Sequence, residues 1–218
     1  MLALSFVAMS MLCLAMVIVE GKKLPRHVYA VLKMLAATLF VVVGTLRAGT
    51  ETDASKLFIA ALVLSWLGDL LLIPKGHKRV FLAGLVAFLL AHVLYVPAFL
   101  ARGFDTTALV SAAVVTLLPI TLVLRWLHPK VKGTIRYAVV AYVVVISVML
   151  ATAFGSAVAG ASMSNGVTPV LFVGAAVFYL SDVLVARERF VSPGYVNRVF
   201  GIPLYFFAQL LLIAGFTR

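Results

Sequence analysis

The sequence predicts an all-α polytopic membrane protein: one bundle of eight transmembrane helices, with the N and C termini on the non-cytoplasmic side. Three observations lead there. Of 218 residues, 64% are apolar and 11% charged, where a soluble domain carries about 45–50% and about 25%. The apolar residues gather into eight stretches near the roughly 20 residues needed to cross a hydrocarbon core. Lys and Arg crowd alternate connections, as topology signals do. This composition excludes a disordered chain, a coiled coil and an ordinary cytosolic enzyme. The alternating segments of about 10 residues that build a membrane β-barrel do not occur.

The expected spans are 2–19, 27–46, 57–73, 80–101, 107–126, 135–154, 167–186 and 199–216. The first lacks a basic leader and is followed by Glu20-Gly21-Lys22-Lys23, so it reads as a retained helix rather than a signal peptide. The connections are too short for a second soluble domain, so 1–218 is expected to form a single eight-helix domain. Pro97, Pro169 and Pro203 fall near span ends, and Pro119 falls inside the fifth span. The single cysteine, Cys13, lies in an apolar stretch and can form no intrachain disulfide.

The basic residues set the orientation. After spans 1, 3, 5 and 7 come Lys22, Lys23 and Arg26; Lys75, Lys78 and Arg79; Arg125, Lys130, Lys132 and Arg136; and Arg187, Arg189 and Arg198, thirteen in all. The other end holds four: Arg47, Lys56, Arg102 and Arg218. By the positive-inside rule the first set faces the cytoplasm. A net charge of +11 therefore implies no nucleic-acid partner.

Ionisable groups inside a bilayer are costly and mark function by default. Asp69 in span 3, Asp182 in span 7, His92 in span 4 and Lys33 in span 2 are the main ones, with Tyr142, Tyr205 and Gln209 as polar tips in spans 6 and 8. Both aspartates sit about four residues, or roughly 6 Å, from the cytoplasmic end, and Lys33 lies about 9 Å deep. A polar cavity open on that side is the economical arrangement. Spacing supports it: Gly84, Phe88, His92 and Tyr95 share one helix face, as do Gly201, Tyr205 and Gln209. A short repeat at an offset of four helices aligns Asp69 with Asp182 and His92 with Gln209, which would make the halves parallel repeats.

At these residues the sequence resembles the YhhN family of integral membrane proteins, whose characterised members are lysoplasmalogenases. The resemblance rests on Ser65 to Leu72 with its Gly-Asp pair, Gly84 to Tyr95, Phe178 to Ala186 with Phe190, and Tyr205 to Leu210. Similar proteins often carry Lys-Pro in the second span, where this chain has Lys33-Met34. The resemblance implies hydrolysis of the vinyl-ether bond of lysoplasmalogens, giving a fatty aldehyde and glycerophospho-ethanolamine or -choline. It also implies a lysophospholipid substrate taken from surrounding membrane lipids. A bacterial inner membrane, with the site toward the cytoplasm, is the expected location.

Such hydrolysis begins with protonation of carbon, so it needs an acid holding its proton near pH 7. It also needs a negative group to stabilise the oxocarbenium ion and activate water. Two buried carboxylates can split these roles, as they do for the oxocarbenium chemistry of glycosidases. Asp69 and Asp182 are the candidate catalytic pair, with the acid and the base unassigned between them. His92 is a third catalytic candidate, relaying a proton or orienting water, or else is an interhelical hydrogen-bonding histidine. Lys33 either binds the lipid phosphate or neutralises one aspartate. Tyr142, Tyr205 and Gln209 are candidates to bind the head group. Arg187 and Arg198 can attract phosphate or serve only as topology signals.

No cofactor and no metal is expected: there is no dinucleotide or P-loop motif, no HExxH and no Cys cluster. The rival mechanism is a metal held by Asp69, Asp182 and His92. The rival function is a proton-coupled small-molecule or lipid transporter, which also uses intramembrane Asp, Lys and His.

Overall fold

The computed structural model describes residues 1–74, 76–163 and 169–217. Lys75 and Arg218, both counted in the charge asymmetry, lie outside the described residues. Eight α-helices follow one another: α1 (Leu2–Gly21), α2 (Arg26–Ala48), α3 (Asp53–Leu71), α4 (Lys78–Leu100), α5 (Thr106–Leu127), α6 (Thr134–Met163), α7 (Val170–Ala186) and α8 (Tyr195–Phe216). A π-helical turn, Arg187–Val191, extends α7. All eight, α7 taken together with its π-turn, are long and apolar enough to cross a membrane.

Most boundaries are local. Thr52 and Asp105 cap α3 and α5 by accepting the backbone N–H groups of Ser55 and Ala108. Gly49 ends α2 at φ 66°, a conformation other residues avoid. Four expectations need correction. α3 runs from Asp53 to Leu71 rather than over 57–73, its start fixed by the Thr52 cap. α6 runs nine residues past 154, because the Ala-, Gly- and Ser-rich continuation packs into the bundle, with Ser156 donating to the carbonyls of Phe99 and Gly103. α8 starts at Tyr195 rather than 199, which brings Asn197 and Arg198 into the helix. That earlier start puts Pro203 well inside α8, whereas Pro97 lies in the last turn of α4, as expected. The expected start of span 7 at 167 falls outside the described residues.

The helices pack as a ring in the order α2, α3, α4, α6, α7, α8 and back to α2. α1 lies outside the seam of α2 and α8, held by buried Met9, Cys13 and Met16; α5 lies outside α6. Exchanging each helix with the one four positions later maps this ring onto itself. That is the arrangement of two parallel repeats about an axis along the bundle. The closest pairs, α3 with α4 and α7 with α8, are also equivalent under the exchange.

Small residues permit these approaches. A Cβ on Gly68 would come within 2.6 Å of the Phe88 ring, and one on Gly174 within 2.8 Å of the backbone nitrogen of Leu212. The second contact is with backbone and cannot yield by rotation. Gly174→Ala is expected to cost about 1–3 kcal/mol, seen as earlier thermal unfolding in detergent; unchanged unfolding would refute this tight α7–α8 contact.

Candidate active site

Each ring helix places a polar side chain toward one end of the bundle: Lys33 on α2, Asp69 on α3, His92 on α4, Tyr142 on α6, Asp182 on α7 and Tyr205 on α8. These come together around a cavity of about 1070 Å³, whose wall includes Lys33, Asp69, Tyr142, Asp182 and Tyr205. The cavity sits at the end where α1, α3, α5 and α7 finish. This is the end rich in Lys and Arg.

Asp69 is 2% exposed and fully engaged. Its Oδ1 lies 3.0 Å from the Lys33 ammonium, and its Oδ2 accepts the Tyr205 hydroxyl at 2.7 Å. Lys33 Nζ also donates to the Asp69 carbonyl at 3.3 Å. Behind Tyr205, Gln209 donates to its hydroxyl at 3.4 Å and accepts the Tyr95 hydroxyl at 2.9 Å. Gln209 is fully buried and absent from the cavity wall. Its amide orients Tyr205, which in turn meets the carboxylate. Of the head-group candidates it is the one the fold holds away from the cavity.

Asp182 has different company. Tyr142 donates to its Oδ2 at 2.6 Å, and His92 Nε2 lies 3.8 Å from the same oxygen. His92 Nδ1 is 2.6 Å from the Phe88 carbonyl. A carbonyl only accepts, so Nδ1 carries the hydrogen and, in the neutral ring, Nε2 presents a lone pair to the carboxyl. His92 is 1% exposed, off the cavity wall, and Nε2 has no other partner among the described residues. It meets the cavity wall at Asp182 and, edge to face, at the Tyr142 ring. Phe178 packs edge-on against both His92 and Tyr205, joining the two aspartate settings from below.

The two settings follow the fourfold helix offset. Asp69 is met by α2 before it and by α8; Asp182 is met by α6 before it and by α4. The symmetry is broken in chemistry. The helix preceding Asp69 supplies an ammonium, whereas the helix preceding Asp182 supplies a phenol. Equivalent carboxyls are thereby given unequal surroundings, the condition for one acid and one base in a single site. Of the two readings of Lys33, the geometry favours neutralisation of an aspartate. Among the described residues no group of three or more His, Cys, Asp or Glu is placed to hold a metal ion; Asp69 turns to Lys33 and Tyr205, not to His92.

The mouth is charged. Arg198 bridges Glu20 at 3.0 Å and Glu188 at 2.5 Å. Glu188 also accepts from Gly194 N and Asn197 Nδ2, and Arg187 donates to Asn197 Oδ1. The two arginines singled out in the sequence are therefore occupied in holding α1, the π-turn and α8 together. Arg26 and Arg189, which the sequence marks only as topology signals, both line the cavity. Arg26, Tyr29 and Lys33 do share a helical face, a readable pattern; the placement of Arg189 in a π-turn has no such signature.

Eight helices apt to span a membrane, with a large cavity lined at one end by two carboxyls in unequal settings, define an integral membrane protein with a polar site inside its bundle. More specifically, the chain belongs to the YhhN family, whose model matches residues 25–216. It is 29% identical over 164 residues to "Lysoplasmalogenase TMEM86A" of Bos taurus, covering 75% of this chain and 65% of that one. It is 30% identical over 165 residues to "Lysoplasmalogenase" of Mycobacterium tuberculosis, covering 72% and 59%. It is 31% identical over 161 residues to "Lysoplasmalogenase TMEM86A" of Homo sapiens, covering 73% and 64%. The chain thus spans about three fifths to two thirds of the length of these relatives. No solved structure matches it significantly.

Proposed function

We propose that this chain hydrolyses the vinyl-ether bond of lysoplasmalogens, releasing a fatty aldehyde and glycerophospho-ethanolamine or -choline. The names of its relatives point to this substrate class. The observation that carries the reading is the unequal pair, Asp69 beside an ammonium and Asp182 beside neutral groups, on the wall of one cavity.

The roles follow from charge counting. One ammonium faces two carboxyls, and a second uncompensated charge in a low-dielectric site is expensive. One carboxyl therefore keeps its proton, and it is Asp182, which has no Lys or Arg within ion-pair distance among the described residues. Asp182 protonates the outer alkene carbon, and the electron pair of the double bond forms the new C–H bond. The ether oxygen shares the resulting positive charge, and ionised Asp69 stabilises it. Water then adds to the carbon bonded to oxygen, giving its proton to Asp69. The hemiacetal collapses: Asp69 returns that proton to the glycerol oxygen as the C–O bond breaks, and the hemiacetal hydroxyl proton restores Asp182. Tyr142 and Tyr205 hold the two carboxyls in place, and His92 stands behind Asp182, 3.8 Å from its Oδ2.

Detergent-purified protein is expected to release aldehyde from lysoplasmenyl-ethanolamine. A folded preparation that releases none would overturn the reading. In deuterated water the aldehyde should carry one deuterium on the carbon next to its carbonyl; its absence would refute carbon protonation.

The same reading places the protein in a bacterial inner membrane with the cavity toward the cytoplasm and both termini outside. In a Cys13→Ser background, Thr50→Cys is expected to react with an impermeant thiol reagent on intact cells, and Lys132→Cys only after permeabilisation. The reverse pattern would invert the topology.

A further inference from the structure

Two arginines at the cavity mouth have no established task. Arg26 Nη2 donates to the Ile73 carbonyl at 2.5 Å, and Arg189 Nη2 donates to the Leu72 carbonyl at 3.5 Å. These carbonyls belong to consecutive residues just past α3, so the two guanidiniums are anchored side by side. The Arg189 guanidinium also lies over the Phe81 ring, 4.9 Å from its centre. Both arginines are exposed and both line the cavity. Neither has a carboxylate within ion-pair distance among the described residues, because Arg198 takes both Glu20 and Glu188. Each guanidinium has five N–H donors, and only one of each is committed to a carbonyl. Two anchored guanidiniums, neither in an ion pair and both with free donors, form a fork for a phosphate.

We infer that Arg26 and Arg189 together grip the phosphodiester of the lysolipid and set the depth at which its vinyl ether meets the two aspartates. This rests on the hydrolase reading. The distances suit it. Lys33 is seven residues along α2 from Arg26, and Asp182 is seven residues before Arg189, a separation of about 10 Å along a helix. In an extended lysoplasmalogen the phosphorus and the vinyl carbons are roughly 8 Å apart. With the phosphate at the fork, the vinyl ether lies at the carboxyls. Lys33 is bound to Asp69 and is not needed for the phosphate. The fork makes the enzyme specific for phosphate-bearing ethers over neutral alkenylglycerols.

The test separates binding from turnover. Purified protein in detergent is titrated with a saturated 1-alkyl lysophosphoethanolamine, which cannot be hydrolysed, and with the matching 1-alkylglycerol. Wild type is expected to bind the phospholipid at least roughly 10-fold more tightly, the value of one charge-assisted hydrogen bond. Arg26→Gln with Arg189→Gln should abolish that preference and leave alkylglycerol affinity unchanged, while Lys22→Gln, off the cavity wall, should preserve it. Equal binding of both lipids by wild type, or a preference that survives the double substitution, overturns the fork. Turnover then shows the same contrast: in the double variant KM for lysoplasmenyl-ethanolamine rises, and kcat falls with it because the ether is no longer held at that depth. A fall in kcat with KM unchanged would also overturn the assignment. Selective binding without any aldehyde release would sink the hydrolase reading and keep the phosphate site, so the two failures are distinguishable. Competition by inorganic phosphate as strong as by the lysophospholipid would mean a free-anion site and refute the lipid ruler.

Discussion

Asp182→Asn and Asp69→Asn are each expected to reduce aldehyde release by about 10²–10⁴-fold, the usual contribution of a positioned acid or base. Asparagine matches aspartate in shape, so the cavity and the Tyr142 and Tyr205 contacts can persist. What is lost differs. In Asp182→Asn the amide has no acidic proton to give to carbon. In Asp69→Asn there is no negative charge to meet the oxocarbenium ion or to accept a proton from water. The double variant should be little worse than either single one, because both groups serve one reaction sequence and such losses do not add. Rates are measured on protein whose thermal unfolding in detergent shows that it is folded. Near-normal turnover in either variant would remove that carboxyl from the mechanism.

Lys33→Met should be damaging in two ways. It leaves the Asp69 carboxylate, 2% exposed, with Tyr205 alone. Removing one partner of a buried ion pair typically costs about 3–5 kcal/mol, because the other charge is stranded. Relief comes if Asp69 takes up a proton, but then it no longer serves as base. The first route lowers the yield of folded protein and the second removes the base, so activity falls either way. Lys33→Met combined with Asp69→Asn removes the stranded charge, so stability should largely return while activity does not. Thermal unfolding of the four proteins in this cycle measures the coupling. Additive effects of the two substitutions would show that the pair is not the energetic unit its geometry implies.

The eight helices were legible because the bilayer demands them. A chain that is 64% apolar must satisfy its backbone hydrogen bonds within each span, and helices do this locally. That Asp69, Asp182 and Lys33 gather at one end of the bundle was legible too, since rise per residue converts position into height along a helix; α3, however, ends two residues past Asp69 rather than four. The faces of α4 and α8 followed from spacing: Gly84, Phe88, His92 and Tyr95 are all buried, as are Gly201, Tyr205 and Gln209. Boundaries were less legible. The extension of α6 to Met163 and the early start of α8 depend on packing and on the charged network of Arg198, not on local hydrophobicity.

Partner choice was decided only by tertiary structure. Lys33 lies 36 residues from Asp69, Tyr142 lies 40 from Asp182, and Tyr205 lies 136 from Asp69. Periodicity says which way a side chain faces on its own helix, but not which helix stands opposite. The ring order, with α4 against α6 and α8 against α2, settled that Asp69 has the ammonium and Asp182 does not. It also set Gln209 behind Tyr205 and brought Arg26 beside Arg189. The sequence by itself determined the helices and the presence of one carboxyl in each of two apolar spans, because each depends on one span and its solvent. The difference between those carboxyls is a property of neighbours on other helices, and only the packed bundle supplies it.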